Sequence, residues 1–232
     1  MKKLFLSTVA IIGLVTIGWG GGDVQPPQEP PTVIDNWSGP YIGAQFGYIK
    51  GKGDVRIIDP SNFTVKPSGA IAGVFGGYNW LSPNNLLFGI EADISAVSAD
   101  KKKVFTEEHS IHNEGTILST ETYKLKQNWD ASIRLRAGKI FQDKYLPYVT
   151  VGATWAGVEA SSITRNGTTK EKKTLSGWTA GAGIAMKINE YTNVRIQYRY
   201  SKYSKKRFRK VGPTDLKYKT NSIELGVSYK FN

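Results

Sequence analysis

The segment Trp129-Asp130-Ala131-Ser132-Ile133-Arg134-Leu135-Arg136-Ala137-Gly138 alternates without a break. Trp129, Ala131, Ile133, Leu135 and Ala137 form one series. Asp130, Ser132, Arg134, Arg136 and Gly138 form the other. A period of two places successive side chains on opposite faces of an extended chain, so this is a strand with one apolar and one polar face.

Seven further runs repeat the design. Ile42, Ala44, Phe46 and Tyr48 open the series, followed by Ala70 to Trp80 and by Leu86 to Ile94. After the quoted segment come Val149 to Trp155, Trp178 to Ile188, Val194 to Tyr200 and Ile223 to Phe231. The pattern slips at Ile71 and Phe75, which fall on the polar face, and at Gly76, which falls on the apolar one. Short connections rich in turn residues alternate with long ones: Ser82-Pro83-Asn84-Asn85, Gln142-Asp143-Lys144 and Asn189 to Asn193 are short. The long ones run over about 51–67, 98–127, 159–176 and 203–220 and are expected to be loops. Eight antiparallel strands with that rhythm predict an all-β, eight-stranded barrel.

Side-chain volume decides which face is outside. The polar face carries Gly43, Gly47, Gly73, Gly89, Gly152, Gly181 and Gly226, whereas the apolar face carries Trp80, Trp129, Trp155 and Trp178. Eight strands enclose little room, so the bulky series belongs on the exterior. An apolar exterior needs lipid, and a closed barrel is one of the two forms that satisfy every backbone polar group within lipid. Tyr48, Trp80, Trp129, Trp155, Trp178, Tyr200 and Tyr229 fall towards strand ends, where aromatic girdles meet the membrane interface. The expectation is an antiparallel transmembrane β-barrel of the outer membrane, with long loops extracellular and both termini periplasmic. The soluble alternative reverses the two faces.

The inward charges then form a set: Glu91, Asp93, Asp130 and Glu224 against Arg134, Arg136, Arg195 and Arg199. Confined charges are tolerable when paired and hydrogen-bonded, so these eight are expected to plug the lumen. The alternative is a small gated, porin-like channel.

Composition is consistent with this reading. The 232-residue chain has no cysteine, which excludes disulfides, thiolate sites and a lipid-modified N-terminal cysteine. Mean hydropathy is −0.33 and the one long apolar run is N-terminal, which argues against a helical membrane protein. Lys2, Lys3 and the apolar run Leu4 to Gly18, followed by Gly20 and Gly22, predict a signal peptide over residues 1–22. Residues 23–36, with Pro26, Pro27, Pro30 and Pro31, read as a Pro-rich periplasmic linker, and residues 37–232 as the barrel. The net charge of +12 would fall to +10 on cleavage. A signal peptide argues against nucleic acid as the partner of this basic chain.

Four stretches resemble a known family. They are Trp37-Ser38-Gly39-Pro40-Tyr41-Ile42-Gly43; Gly77-Tyr78-Asn79-Trp80 with Phe88 to Asp93; Arg134 to Gly138 with Leu146-Pro147-Tyr148-Val149-Thr150; and Tyr198-Arg199-Tyr200 with Gly226 to Phe231. Together they resemble the alphaproteobacterial outer-membrane surface barrels with an OmpA-like transmembrane fold, a family that includes major surface antigens and hemin-binding proteins. The resemblance implies a surface-exposed structural or interaction protein with no obligatory cofactor. It also implies outer-membrane lipid and lipopolysaccharide as surroundings, hemin or host molecules as partners, and recognition of Tyr229 and Phe231 by the barrel-assembly machinery. Two positions depart from the family: Asn232 follows the terminal aromatic, and Gln197 stands where the family often has Glu.

Two groups could carry chemistry. His109 and His112 share the second long connection and are candidate axial ligands for hemin, since neutral imidazole binds iron. They could otherwise be plain loop residues, or belong to the Ser/His pair of a lipid-modifying enzyme, a reading for which no positioned triad is visible. In the fourth connection, Lys205, Lys206, Arg207, Arg209 and Lys210 interleave with Tyr203 and Phe208, with Lys202, Lys217 and Lys219 nearby. The cations would meet the propionates of hemin and the aromatics its ring. The plainer expectation is a solvated loop facing lipopolysaccharide phosphates.

Overall fold

A computed structural model describes residues 37–56, 63–111, 115–164, 167–208 and 214–231. The expected signal peptide (1–22), the linker (23–36), His112, Arg209 and Lys210 lie outside the described residues, as does the side chain of His109.

Ten strands follow in chain order: β1 (Gly39–Arg56), β2 (Phe63–Val65), β3 (Ser68–Ser82), β4 (Leu86–Ile111), β5 (Gly115–Lys139), β6 (Tyr145–Thr164), β7 (Gly167–Lys187), β8 (Thr192–Tyr203), β9 (Lys206–Phe208) and β10 (Thr214–Lys230). Eight are long. The three-residue β2 and β9 attach to the outer ends of β1 and β10. The long strands pair antiparallel in sequence order, and β10 returns to β1 from Tyr41↔Lys230 to Arg56↔Asp215. The sheet is therefore a closed eight-stranded barrel without a free long edge. No helix among the described residues is long and apolar enough to cross a membrane; the crossing is made by strands.

The short reversals use residues that tolerate left-handed backbone. Asn84 and Asn85 have φ of 66° and 59°, and Gln142 and Asp143 both have φ of 50°. Asn and Asp bear this conformation better than most side chains. Phe141 and Tyr145 close the second turn by exchanging backbone hydrogen bonds of 2.8 and 2.9 Å.

Along the middle of each strand the two faces separate as the alternation requires. Phe46 is 60% exposed and Leu135 63%, with Val74, Ile94, Ile133, Val149 and Ile223 also outward. Glu91 and Arg134 are 1% exposed. Ile71 and Phe75 are buried on the inward face, where the slipped pattern put them. Inward glycines make room for larger neighbours. A Cβ on Gly43 would lie 2.4 Å from the Phe75 ring, and one on Gly226 3.1 Å from both Phe75 and Arg195.

The long connections are not the loops expected over 51–67, 98–127, 159–176 and 203–220. β1 continues to Arg56, β4 runs to Ile111 and β5 begins at Gly115, and β6 runs to Thr164 and β7 begins at Gly167. The reason is an exchange of faces. Beyond the outer aromatic level the inward positions become apolar: Val55, Leu125, Val158, Leu175, Leu216 and Tyr218 are buried together with Val65, Tyr203 and Phe208. The outward positions become charged. The period of two persists, but its polarity is opposite to that within the membrane. An irregularity marks the transition in β5: Asn128, between Gln127 and Trp129, has no counterpart in β6, while on the other side Val97 and Ser98 of β4 stand against it.

The inside–outside assignment has a direct test. Ile133→Arg places a charge on the lipid face and should lower stability in lipid vesicles by about 2–4 kcal/mol if it lies at the midplane. Urea unfolding measures it, and an unchanged midpoint would contradict the assignment.

Candidate functional site

The interior is the most organised polar region of the molecule. β4, β5, β8 and β10 carry its acids and arginines because each presents a polar series inward. Glu91 pairs with Arg134 at 2.6 Å and Arg195 at 2.5 Å and accepts a hydrogen bond from the Tyr41 hydroxyl at 2.8 Å. Asp93 pairs with Arg134 at 3.0 Å and Arg199 at 3.1 Å and accepts from the Ser132 hydroxyl. Arg199 is the junction: it also reaches Asp130 at 2.9 Å and Glu224 at 3.0 Å. One guanidinium thus serves three carboxylates on three different strands, a use of its planar fork that a lysine could not reproduce.

Seven of the eight predicted inward charges join this network. Arg136 stands apart, with its guanidinium 3.8 Å from the centre of the Tyr148 ring. Arg195 combines its ion pair with a similar stack, 3.5 Å from the Phe75 ring centre. The interior is not a simple balance of four acids against four bases; two arginines also use aromatic faces.

Neutral residues complete the network, and reading charges alone misses them. Gln45 accepts from Arg195 at 2.8 Å and donates to Ser95 at 3.2 Å. Gln197 donates to Glu224 at 3.3 Å and accepts from the Tyr148 hydroxyl at 3.1 Å. Gln127 accepts from the Tyr218 hydroxyl at 2.9 Å. For Gln45 and Gln197 their place on the polar series was the available signal; Gln127 falls in the stretch 98–127 that reads as a loop. Gln197, which departs from the resembled family, keeps a hydrogen-bonding role that adds no charge.

Apolar clusters lie at both ends of the charges. On the outer side is the group around Leu125, Leu175 and Tyr218, with Tyr203 and Tyr218 stacked at 5.6 Å. On the periplasmic side Trp37, Leu87, Ile140, Leu146, Tyr148 and Ala185 pack together. The cavity beside Trp37, Tyr41 and Arg136 holds only about 20 Å³, room for about one water.

The expected hemin residues do not form one surface. Tyr203 is 4% and Phe208 2% exposed, and the Tyr203 hydroxyl donates to Asp130 at 2.7 Å. Their rings belong to the outer apolar cluster, so they offer no platform to a planar ligand; the same inward turn that closes the lumen removes them from the surface. Lys205, Lys206 and Arg207 are exposed, but Lys205 and Arg207 pair with Asp215 at 2.7 and 3.1 Å. His109 lies in β4 opposite Ile117 of β5.

The fold and its filled interior define an outer-membrane β-barrel. The chain belongs to the family described as outer membrane protein beta-barrel domain, which matches residues 27–231. It is 27% identical over 237 residues to a 25 kDa outer-membrane immunogenic protein of Brucella canis, covering 100% of this chain and 99% of that protein. It is 28% identical over 254 residues to a 31 kDa outer-membrane immunogenic protein of Brucella melitensis, covering 100% of both. Among solved structures, the outer membrane protease OmpT of Escherichia coli superposes with a TM-score of 0.51 at 10% identity, over 82% of this chain and 97% of that one. That likeness is one of fold alone. The family and its relatives place this chain in the outer membrane, as the strand pattern and the resemblance both implied.

Two predictions follow from these contacts. Arg199→Leu leaves Asp130 and Glu224 without their cation and should cost about 3–5 kcal/mol, read by urea unfolding in vesicles; a loss below about 1 kcal/mol would show that the junction does not hold the interior. At the outer rim, hydrogen bonds from Arg207 and Lys205 lower the Asp215 carboxyl to about 2. A depressed carboxylate stabilises the fold fully above its ordinary value of about 3.9 and ceases to do so as pH falls through about 2. The protection factors of the β9 amides, taken relative to the intrinsic exchange rate at each pH, should therefore fall as pH drops between those values and stay level above pH 5.

Proposed function

We propose that this barrel is a non-conducting surface scaffold, an interaction protein whose strand-built outer half carries the segments that meet other molecules outside the cell. The observation that supports it is the stacked closure of the lumen: an ion network in the middle and apolar clusters at either end. An open diffusion path needs a continuous polar channel, and both clusters interrupt one. The charges hold the strands in register and give the outer half a rigid base. Structural and immunogenic roles fit the names of the Brucella relatives, which are outer-membrane immunogenic proteins.

The porin-like alternative requires both clusters to move. The enzymatic alternative requires a positioned nucleophile and base near the rim; the OmpT likeness, being one of fold, supplies neither. Hemin capture would rest on Lys205, Lys206 and Arg207 without Tyr203 and Phe208, so we do not adopt it. Tyr229 and Phe231 both face outward at the final strand with ring centres 5.5 Å apart, accessible to the barrel-assembly machinery.

Purified protein in a planar bilayer should give no steady conductance, while surface proteolysis of whole cells should cut between β4 and β5 and between β6 and β7. Large, persistent openings from the pure protein would replace the scaffold by the pore.

A further inference from the structure

The outer rim carries two opposite charge patterns. Across β4, β5, β6 and β7 the first charged outward row above the aromatic level reads Asp100↔Lys126↔Glu159↔Lys172. Signs alternate at every step; the step from Glu159 to Lys172 is an ion pair of 3.6 Å, and Lys124 adds one to Asp100 at 3.2 Å. Across β8, β10 and β1 the corresponding row reads Lys202↔Lys219↔Lys52. Three lysines face each other directly on one side of the sheet. Direct cross-strand neighbours have Cβ atoms only about 5 Å apart, and like charges there are destabilising.

A single carboxylate, Asp54, compensates this row in part. Asp54 pairs with Lys52 at 3.5 Å but stands directly opposite Lys217, a fourth cation on the same outward face. Lys50, two residues below Lys52, lies over the Tyr48 ring at 5.7 Å. Lys50, Lys202, Lys217 and Lys219 form no ion pair among the described residues. A side of the rim on which one sign is concentrated attracts an anionic neighbour, which the alternating side does not.

Position identifies the occupant. Trp178 is the direct neighbour of Lys202 across β7 and β8, and its ring lies 5.5 Å from Tyr200, two residues nearer the membrane. Tyr48 lies four residues below Lys52. Aromatic girdles sit at headgroup depth. The lysines are therefore at the level of lipid phosphates, on the lipid-facing side of the wall, rather than at the loop tips where a soluble ligand would arrive. We propose that Lys52, Lys202 and Lys219 form a binding site for the phosphate groups of an outer-leaflet glycolipid of the lipid A type, with Lys50 and Lys217 at its margins. The proposal depends on the membrane placement and is independent of whether the lumen conducts.

The test compares the full chain with the triple variant Lys52→Gln, Lys202→Gln, Lys219→Gln, using purified bisphosphorylated lipid A in micelles of uncharged detergent and native mass spectrometry. Each lysine near an anionic lipid surface contributes roughly a fivefold factor, so the triple variant should bind about a hundredfold more weakly. The charge-matched variant Lys101→Gln, Lys102→Gln, Lys170→Gln should bind like the parent. Stability supplies an independent reading. In uncharged detergent alone the first triple variant should be as stable as the parent or more so, because a repulsion has been removed; with lipid A present the order should reverse, because only the parent gains from the ligand. Equal binding by parent and first triple variant would overturn the site. So would parent binding to dephosphorylated lipid A as tight as to the bisphosphorylated form, or full displacement of lipid A by inositol hexakisphosphate, which would reassign the row to soluble polyanions.

Discussion

Everything in this molecule depends on the pairing of β1 with β10. Hydrocarbon offers no partner to an open N–H or C=O group, so a sheet can remain there only if its first and last strands meet. Sixteen residue pairs make that seam, from Tyr41↔Lys230 to Arg56↔Asp215. Closure has a second effect. It confines the inward side chains of eight strands to a narrow volume, where charges must pair and large rings must find glycine opposite them. The Arg199 junction and the fit of Phe75 against Gly43 and Gly226 both follow from that confinement.

The middle of the fold was legible because lipid imposes a strict rule there. Within the membrane each outward position must be apolar, so Trp129 to Gly138 announces its two faces residue by residue. Even the exceptions were informative: Ile71 and Phe75 broke the pattern and are buried on the inner face. Outside the membrane the rule lapses. The strands continue through Leu125, Val158 and Leu175, but there water replaces lipid and the apolar positions turn inward. A reading that follows one polarity loses the strand at the point where the polarity reverses, and the remainder resembles loop. Leu125, Val158 and Leu175 were therefore not recognised as a core.

The candidate site shows the same division. The lumen acids and arginines could be identified by their place on the polar series, but which of them meet could not, since pairing depends on register across strands far apart in the chain. Arg199 and Asp93 are 106 residues apart in sequence, and Arg195 and Gln45 are 150. Tyr203 and Phe208 were misplaced for a local reason. Near so many lysines they resembled a surface ligand site, whereas β9 folds back onto β10 and carries Phe208 inside.

Asn128 has a consequence for how such a molecule can change. It is an odd residue inserted where the polarity of the wall reverses, and strand faces obey parity: one residue more or less exchanges every side chain beyond it between the two surfaces. Within the paired wall, length can therefore change only by even steps or beside a bulge that restores the faces, whereas a change at the turn leaves every face of the wall as it was.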